Sequence, residues 1–278
     1  MDEEQGKDSA TPTEAPTART AAPTAAHGPP KPAAGVPDAR SEEAIADAFA
    51  RIENDVRDGR NDLGRLGFWR VLARIKPDRQ LSEEWADAAG RIDRTVFERR
   101  VRLRVPIWVG NLALSAGIAL GAAGVVVARR SGNDLFAGAG LIAAAGAWSV
   151  SVHDLAHWAV GGGVGIRFTT YFFRPGQFPP RPGIKTDYAT YLRTDPAARA
   201  SMHAAGAIAT KLAPVVALAF APTSRAPAWA SWLVLALAIG QIGTDVAFSV
   251  KTGDWSKVFR ERAIARERSA RERSTVAR

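Results

Sequence analysis

His153-Asp154-Leu155-Ala156-His157 carries the most specific chemistry in this chain. Two histidines four residues apart share one face of a helix. At that spacing each imidazole can aim a nitrogen at one metal ion, while an acid beside them handles water. The segment closes a long apolar run, and ionisable side chains at bilayer depth are costly enough to be functional candidates by default. The 278-residue chain contains no cysteine, so thiol nucleophiles, disulfides and thiolate metal sites are excluded. Any metal must be held by His, Asp or Glu.

The elements that would position this motif are apolar helices. A membrane span needs about 20 apolar residues. Four stretches qualify: Val105 to Ala128, Leu135 to about Val160, Ala200 to Ala221, and Ala228 to Val250. Basic residues flank them unevenly. Arg99, Arg100, Arg102 and Arg104 precede the first, and Arg167, Arg174, Arg181, Lys185, Arg193 and Arg199 separate the second from the third. The two short opposite links hold only Arg129, Arg130 and Arg225. The positive-inside rule then places both termini in the cytosol and accounts for the net charge of +9 without nucleic acid. The abundance of Ala, Arg and Gly fits a GC-rich bacterial gene, hence a bacterial cytoplasmic membrane.

Outside the spans, residues 1–40 read as a disordered Pro/Ala/Thr-rich tail that contains His27 and no signal peptide. Residues 41–104 read as a small cytosolic helical module. Ser41 is placed to cap a helix with Ile45, Phe49, Ile52 and Val56 inward. Leu63, Leu66, Trp69 and Leu72 share the face of a second, and Ser82 is placed to cap a third with Trp85, Ala89, Ile92 and Val96 inward. Residues 167–173 have strand propensity, and Gln177 to Gly183 form a proline-broken loop. The tail from Lys251 to residue 278 reads as a basic, solvated surface helix, with Asp254 as its N-cap and Asp254-Trp255 as an interface anchor. The expected fold is thus an all-α integral membrane protein with four transmembrane helices in a core of residues 105–250. A short strand-like element follows the second.

With this topology the polar residues of three spans converge. His153 and His157 lie near the cytosolic end of span two, His203 in the first turn of span three, and Gln241, Thr244, Asp245 and Ser249 in the last turns of span four. At about 1.5 Å per residue they fall within a layer roughly 10–12 Å deep. His153 and His157 are candidate ligands of one Zn2+ ion. Asp245, the acid within the spans outside the motif, is the best third ligand and leaves a fourth position open for water. Asp154 is the candidate general base, and His203 an auxiliary that could hold an oxyanion or substrate. Lys211 and Gln241 are auxiliary intramembrane groups, Lys211 needing a carboxylate partner such as Asp154 or Asp245. Other roles stand beside these. Asp245 could cap a helix or pair with Lys251, Lys211 could be structural, and iron or manganese also suit His/Asp ligation.

Residues 135–250 resemble the site-2 protease family of intramembrane zinc metalloproteases. His153-Asp154-Leu155-Ala156-His157 is similar to the family's zinc motif, with Asp154 where the family has Glu. Ala205-Gly206-Ala207-Ile208-Ala209-Thr210 is similar to its Gly-Pro-x-x-Asn helix start, with Ala207 for Pro and Thr210 for Asn. Asp245 lies in a later span, where the family supplies its third ligand. Segment 167–173 resembles the element that receives extended substrate by strand addition, which implies substrate contacts at Phe168, Thr169, Thr170 and Tyr171. The resemblance implies an intramembrane zinc endopeptidase acting on a transmembrane protein or peptide in the lipid bilayer near the cytosolic face. Alternatives of other classes are an inactive metal-binding pseudoprotease serving as membrane scaffold or regulator, and a small transporter.

Overall fold

A computed structural model describes residues 42–173, 182–249 and 253–276. The tail to residue 40 with His27, the cap expected at Ser41, Arg174 and Arg181, most of the 177–183 loop, and Lys251 lie outside the described residues.

Four short helices come first: α1 (Glu42–Arg57), α2 (Phe68–Ile75), α3 (Arg79–Glu84) and α4 (Ala86–Arg100). The expected apolar face of α1 is the buried one, with Ile45, Phe49, Ile52 and Val56 all inside. In α2 the inward residues are Phe68, Val71, Leu72 and Ile75, whereas Trp69 is half exposed. The cap of α3 is Asp78, whose carboxylate accepts from the Leu81 N–H. Ser82, expected as a cap, is buried within α3 and donates its hydroxyl to the Ile75 carbonyl. The aromatic faces of Phe49 and Trp85 stack at 5.0 Å between centroids. This core continues into Ala189 and Leu192, which lie beyond the second long helix, so the N-terminal helices share a hydrophobic core with the centre of the chain.

Next come β1 (Arg104–Pro106), α5 (Ile107–Arg130), α6 (Asp134–Gly163), β2 (Phe168–Phe173), β3 (Pro182–Thr186), α7 (Tyr188–Arg193) and α8 (Pro196–Ala219). A one-turn 3-10 helix at Ala221–Thr223 precedes α9 (Ala228–Thr244). A π-helical turn at Asp245–Ser249 follows it, and α10 (Asp254–Val276) is the last described element. Helices α5, α6, α8 and α9 are each long and apolar enough to cross a membrane. Large apolar side chains on them face outward, among them Trp108, Leu112, Val150, Trp232 and Ile239. A surface of this kind suits lipid rather than water.

Helix α6 is the central one, packed against α5, α8 and α9. Its approach to α5 depends on missing side chains. A Cβ on Gly124 would lie 2.6 Å from the Gly140 carbonyl oxygen, and one on Gly121 would strike Trp148. Small residues allow such close crossings, as in membrane helix pairs.

The three strands form one antiparallel sheet in the order β1-β2-β3. Arg104 pairs with Phe172 and Pro106 with Thr170 on one side, and Phe168 pairs with Thr186 and Phe173 with Pro182 on the other. The strand-prone segment is therefore the middle strand.

Candidate metal centre

Residues 153 and 157 sit on the same face of α6, one turn apart, with ring centroids 4.7 Å apart. Each ring is oriented from its far nitrogen. His157 Nδ1 lies 2.7 Å from the Met202 carbonyl oxygen, which can only accept, so that nitrogen carries the proton. His153 Nδ1 lies 2.9 Å from Thr210 Oγ1, and the Thr210 hydroxyl gives its own proton to the Gly206 carbonyl at 2.8 Å. Thr210 thus accepts from His153 as well. Both partners belong to α8, and both leave Nε2 as the ring nitrogen turned toward the other helix partners, where a metal could be met.

The two Nε2 atoms converge on one oxygen. Asp254 Oδ2 is 3.3 Å from each. The donor atoms of His153, His157 and Asp254 all lie within 4.8 Å of one another, and together they could hold a metal ion. Two imidazole lone pairs facing a carboxylate require a positive centre among them, either a cation or added protons. Burial alone would raise the Asp254 carboxyl. With protons on the two facing Nε2 atoms, hydrogen bonding to His153 and His157 and the charge of Lys257 outweigh that and hold it well below the usual carboxylate range. Lys257 Nζ pairs with the other oxygen, Oδ1, at 2.8 Å.

The chain has no match among protein-family models, curated proteins or solved structures.

Asp254, expected as a helix cap, does open α10, and its carboxylate is the one that meets the histidines. Asp245, expected as the third ligand, is engaged elsewhere. Its Oδ2 forms an ion pair with Lys211 Nζ at 2.9 Å and accepts from Trp255 Nε1 at 2.6 Å. The partner anticipated for Lys211 is thus found, and it occupies the acid that had been assigned to the metal. Asp154 lies beside both histidines on α6, 9 % exposed, and forms no hydrogen bond or ion pair among the described residues.

His203 is buried on α8, 6.2 Å from His157 between ring centroids. Its Nε2 is 3.0 Å from the Tyr191 hydroxyl, which donates in turn to Glu261 Oε1 at 2.9 Å. Since that hydroxyl proton is spent, His203 Nε2–H is the donor, and its ring nitrogen points to Tyr191 rather than to the three-residue group. Gln241 donates to Ser149 Oγ at 3.2 Å, tying α9 to α6.

The substrate contacts expected on β2 need revision. Its backbone is paired on both sides from Thr170 to Phe172, so it offers no free edge there. Tyr171 is buried, with its hydroxyl donating to Asn111 Oδ1 at 2.8 Å, and the Phe168 ring lies against Gly161. Thr170 donates to the Val105 carbonyl, and Thr169 remains exposed. The free edges of the sheet among the described residues are those of β1 and β3.

Sequence reasoning also missed Glu261. It is fully buried in α10, two helical turns beyond Asp254, and binds Lys76 Nζ at 2.9 Å, Arg199 at 2.8 Å and the Tyr191 hydroxyl. Burial alone would raise its carboxyl, but Lys76 and Arg199 outweigh that and lower it. Lys76 itself is pulled down to about 8 by burial. Its position in a run of Arg-Glu-Arg triplets gave no sign of this.

Proposed function

We propose that this chain is an intramembrane zinc metalloprotease that cuts a membrane-embedded or membrane-adjacent peptide near the cytosolic face of a bacterial membrane. The observation carrying this reading is the convergence of His153 Nε2, His157 Nε2 and Asp254 Oδ2, with both Nδ1 atoms held from behind. A set of three such donors, one short of a tetrahedral four, suits a catalytic rather than a structural ion. The four apolar helices and the uneven distribution of basic residues support the membrane setting and cytosolic termini.

When bound, zinc supplies Lewis acidity toward a carbonyl and lowers the pKa of water in its vicinity. The protein residues do the rest. Asp154, free of other hydrogen bonds beside the histidines, takes a proton from the attacking water and returns it to the amide nitrogen as the C–N bond breaks. The water oxygen ends in the new carboxylate. An extended substrate would add its strand to a free sheet edge of β1 or β3, since β2 is paired on both sides.

A second reading, a metal-holding pseudoprotease that acts as scaffold or regulator, draws on Asp154, which stands one methylene short of the glutamate in the resembling motif. The deciding measurement is metal content of the purified chain in detergent. One equivalent of zinc in the wild type, lost in His157→Ala, is expected. A wild type without metal after zinc loading would remove both readings.

A further inference from the structure

Asp254 is a ligand candidate that does not belong to any of the four apolar helices. Its side chain must nevertheless be held at one place against two rings of α6. The neighbouring residue provides an anchor. Trp255 Nε1 donates to Asp245 Oδ2 at 2.6 Å, ten residues back along the chain. That same carboxylate is paired at 2.9 Å with Lys211, which follows Thr210, the residue that orients His153. One carboxylate therefore joins α8, the π-helical turn after α9, and the first turn of α10. All three groups are largely shielded, with side-chain exposures of 23 % for Lys211 and 17 % for Asp245, and intermediate burial for Trp255. In such surroundings an ion pair relaxes little, and a hydrogen bond to its charged oxygen is directional and strong.

We propose that Asp245 is a positioning residue for the metal centre. Balanced by Lys211, it fixes Trp255 and thereby the adjacent Asp254 carboxylate on His153 and His157. The π-helical geometry at Asp245–Ser249 turns the end of the fourth apolar helix so that this contact can form, and π turns concentrate at functional sites for such reasons. The proposal rests on the metal-site reading above, and assigns Asp245 to holding a ligand instead of being one.

The test uses the full chain in detergent, titrated with Co2+ and read by visible absorption, followed by zinc competition. Trp255→Phe removes the N–H and keeps an aromatic ring, while Asp245→Asn removes the charge. Both are expected to bind one equivalent with the wild-type band shape but about 10–100-fold more weakly, the usual cost of losing a partner behind a ligand. Asp254→Ala is expected to change the band itself. Wild-type affinity in Trp255→Phe overturns the proposal, as does a changed band in Asp245→Asn with unchanged affinity in Trp255→Phe, which would make Asp245 a ligand. Melting of the metal-free proteins guards against misfolding, and if Asp245→Asn does not fold, Trp255→Phe decides alone. A wild type that gives no cobalt band overturns the metal reading itself, and is thus distinct from failure of the clamp.

Discussion

A Cβ on Gly206 would lie 2.3 Å from Nε2 of His157. Helix α8 can press onto the face of α6 that carries His153 and His157 only because that position has no side chain. The same stretch of α8 supplies the Met202 carbonyl and the Thr210 hydroxyl that orient the two rings.

Gly206→Ala sets two effects against each other. Alanine in a helix interior gains about 1 kcal/mol over glycine, whereas overpacking a tight contact costs about 1–3 kcal/mol. Because the colliding atom is the ring nitrogen proposed to meet the metal, the second effect is expected to win. Zinc affinity, measured by chelator competition, should fall at least tenfold and the His157 ring should shift. Unchanged affinity would show that α8 can retreat freely.

Thr210→Val keeps the shape and removes the oxygen that receives His153 Nδ1–H. Zinc affinity is expected to fall about tenfold with little change in melting temperature of the metal-free chain. An equal loss of both would assign Thr210 to packing alone.

Asp154→Asn separates catalysis from binding. Cleavage of a membrane peptide should be lost while zinc stoichiometry stays at wild type, and Asp154→Glu should keep some cleavage. If the asparagine variant cuts as fast as wild type, Asp154 is not the base.

Acid should loosen the junction at Glu261. Its folded carboxyl is lowered, through Lys76 and Arg199, relative to the unfolded chain. The folded state therefore binds fewer protons, and this stabilisation is present above the unfolded pKa of about 4.3 and fades as pH falls through the lower folded value. Denaturant midpoints measured from pH 7 to pH 3 should decline, and Glu261→Gln should flatten that part of the profile. The same variant should cost about 3–5 kcal/mol at pH 7, since it leaves two buried cations without their anion. A profile equally steep in Glu261→Gln would assign the acid lability to other carboxylates.

The parts of this architecture that repeat along the chain were readable before any coordinates. Long apolar runs mark α5, α6, α8 and α9, and the 3.6-residue rhythm of Ile45, Phe49, Ile52 and Val56 marks α1. The i, i+4 histidines were readable because helix geometry alone puts them on one face. The carboxylate that joins them was not. Asp245 and Asp254 each follow an apolar helix closely, and which one reaches the histidines depends on how the chain turns at Asp245–Ser249, a feature with no periodicity to betray it. Glu261 was hidden for a related reason. Its partner Lys76 is 185 residues away, and locally it looks like one more charge on a solvated helix. The middle position of β2 depends on β1, three residues whose Val105 and Pro106 blend into the apolar run that follows.

Asp254 comes after all four apolar helices in the chain, whereas His153 and His157 lie on the second. A protein is made from its N-terminus, so His157 leaves the ribosome 97 residues ahead of the carboxylate it faces. The three-residue group cannot assemble until α9 and the start of α10 have been made. The order of synthesis thus leaves the group incomplete until late, and a nascent chain halted before residue 254 has all four apolar helices with only two of the three donors.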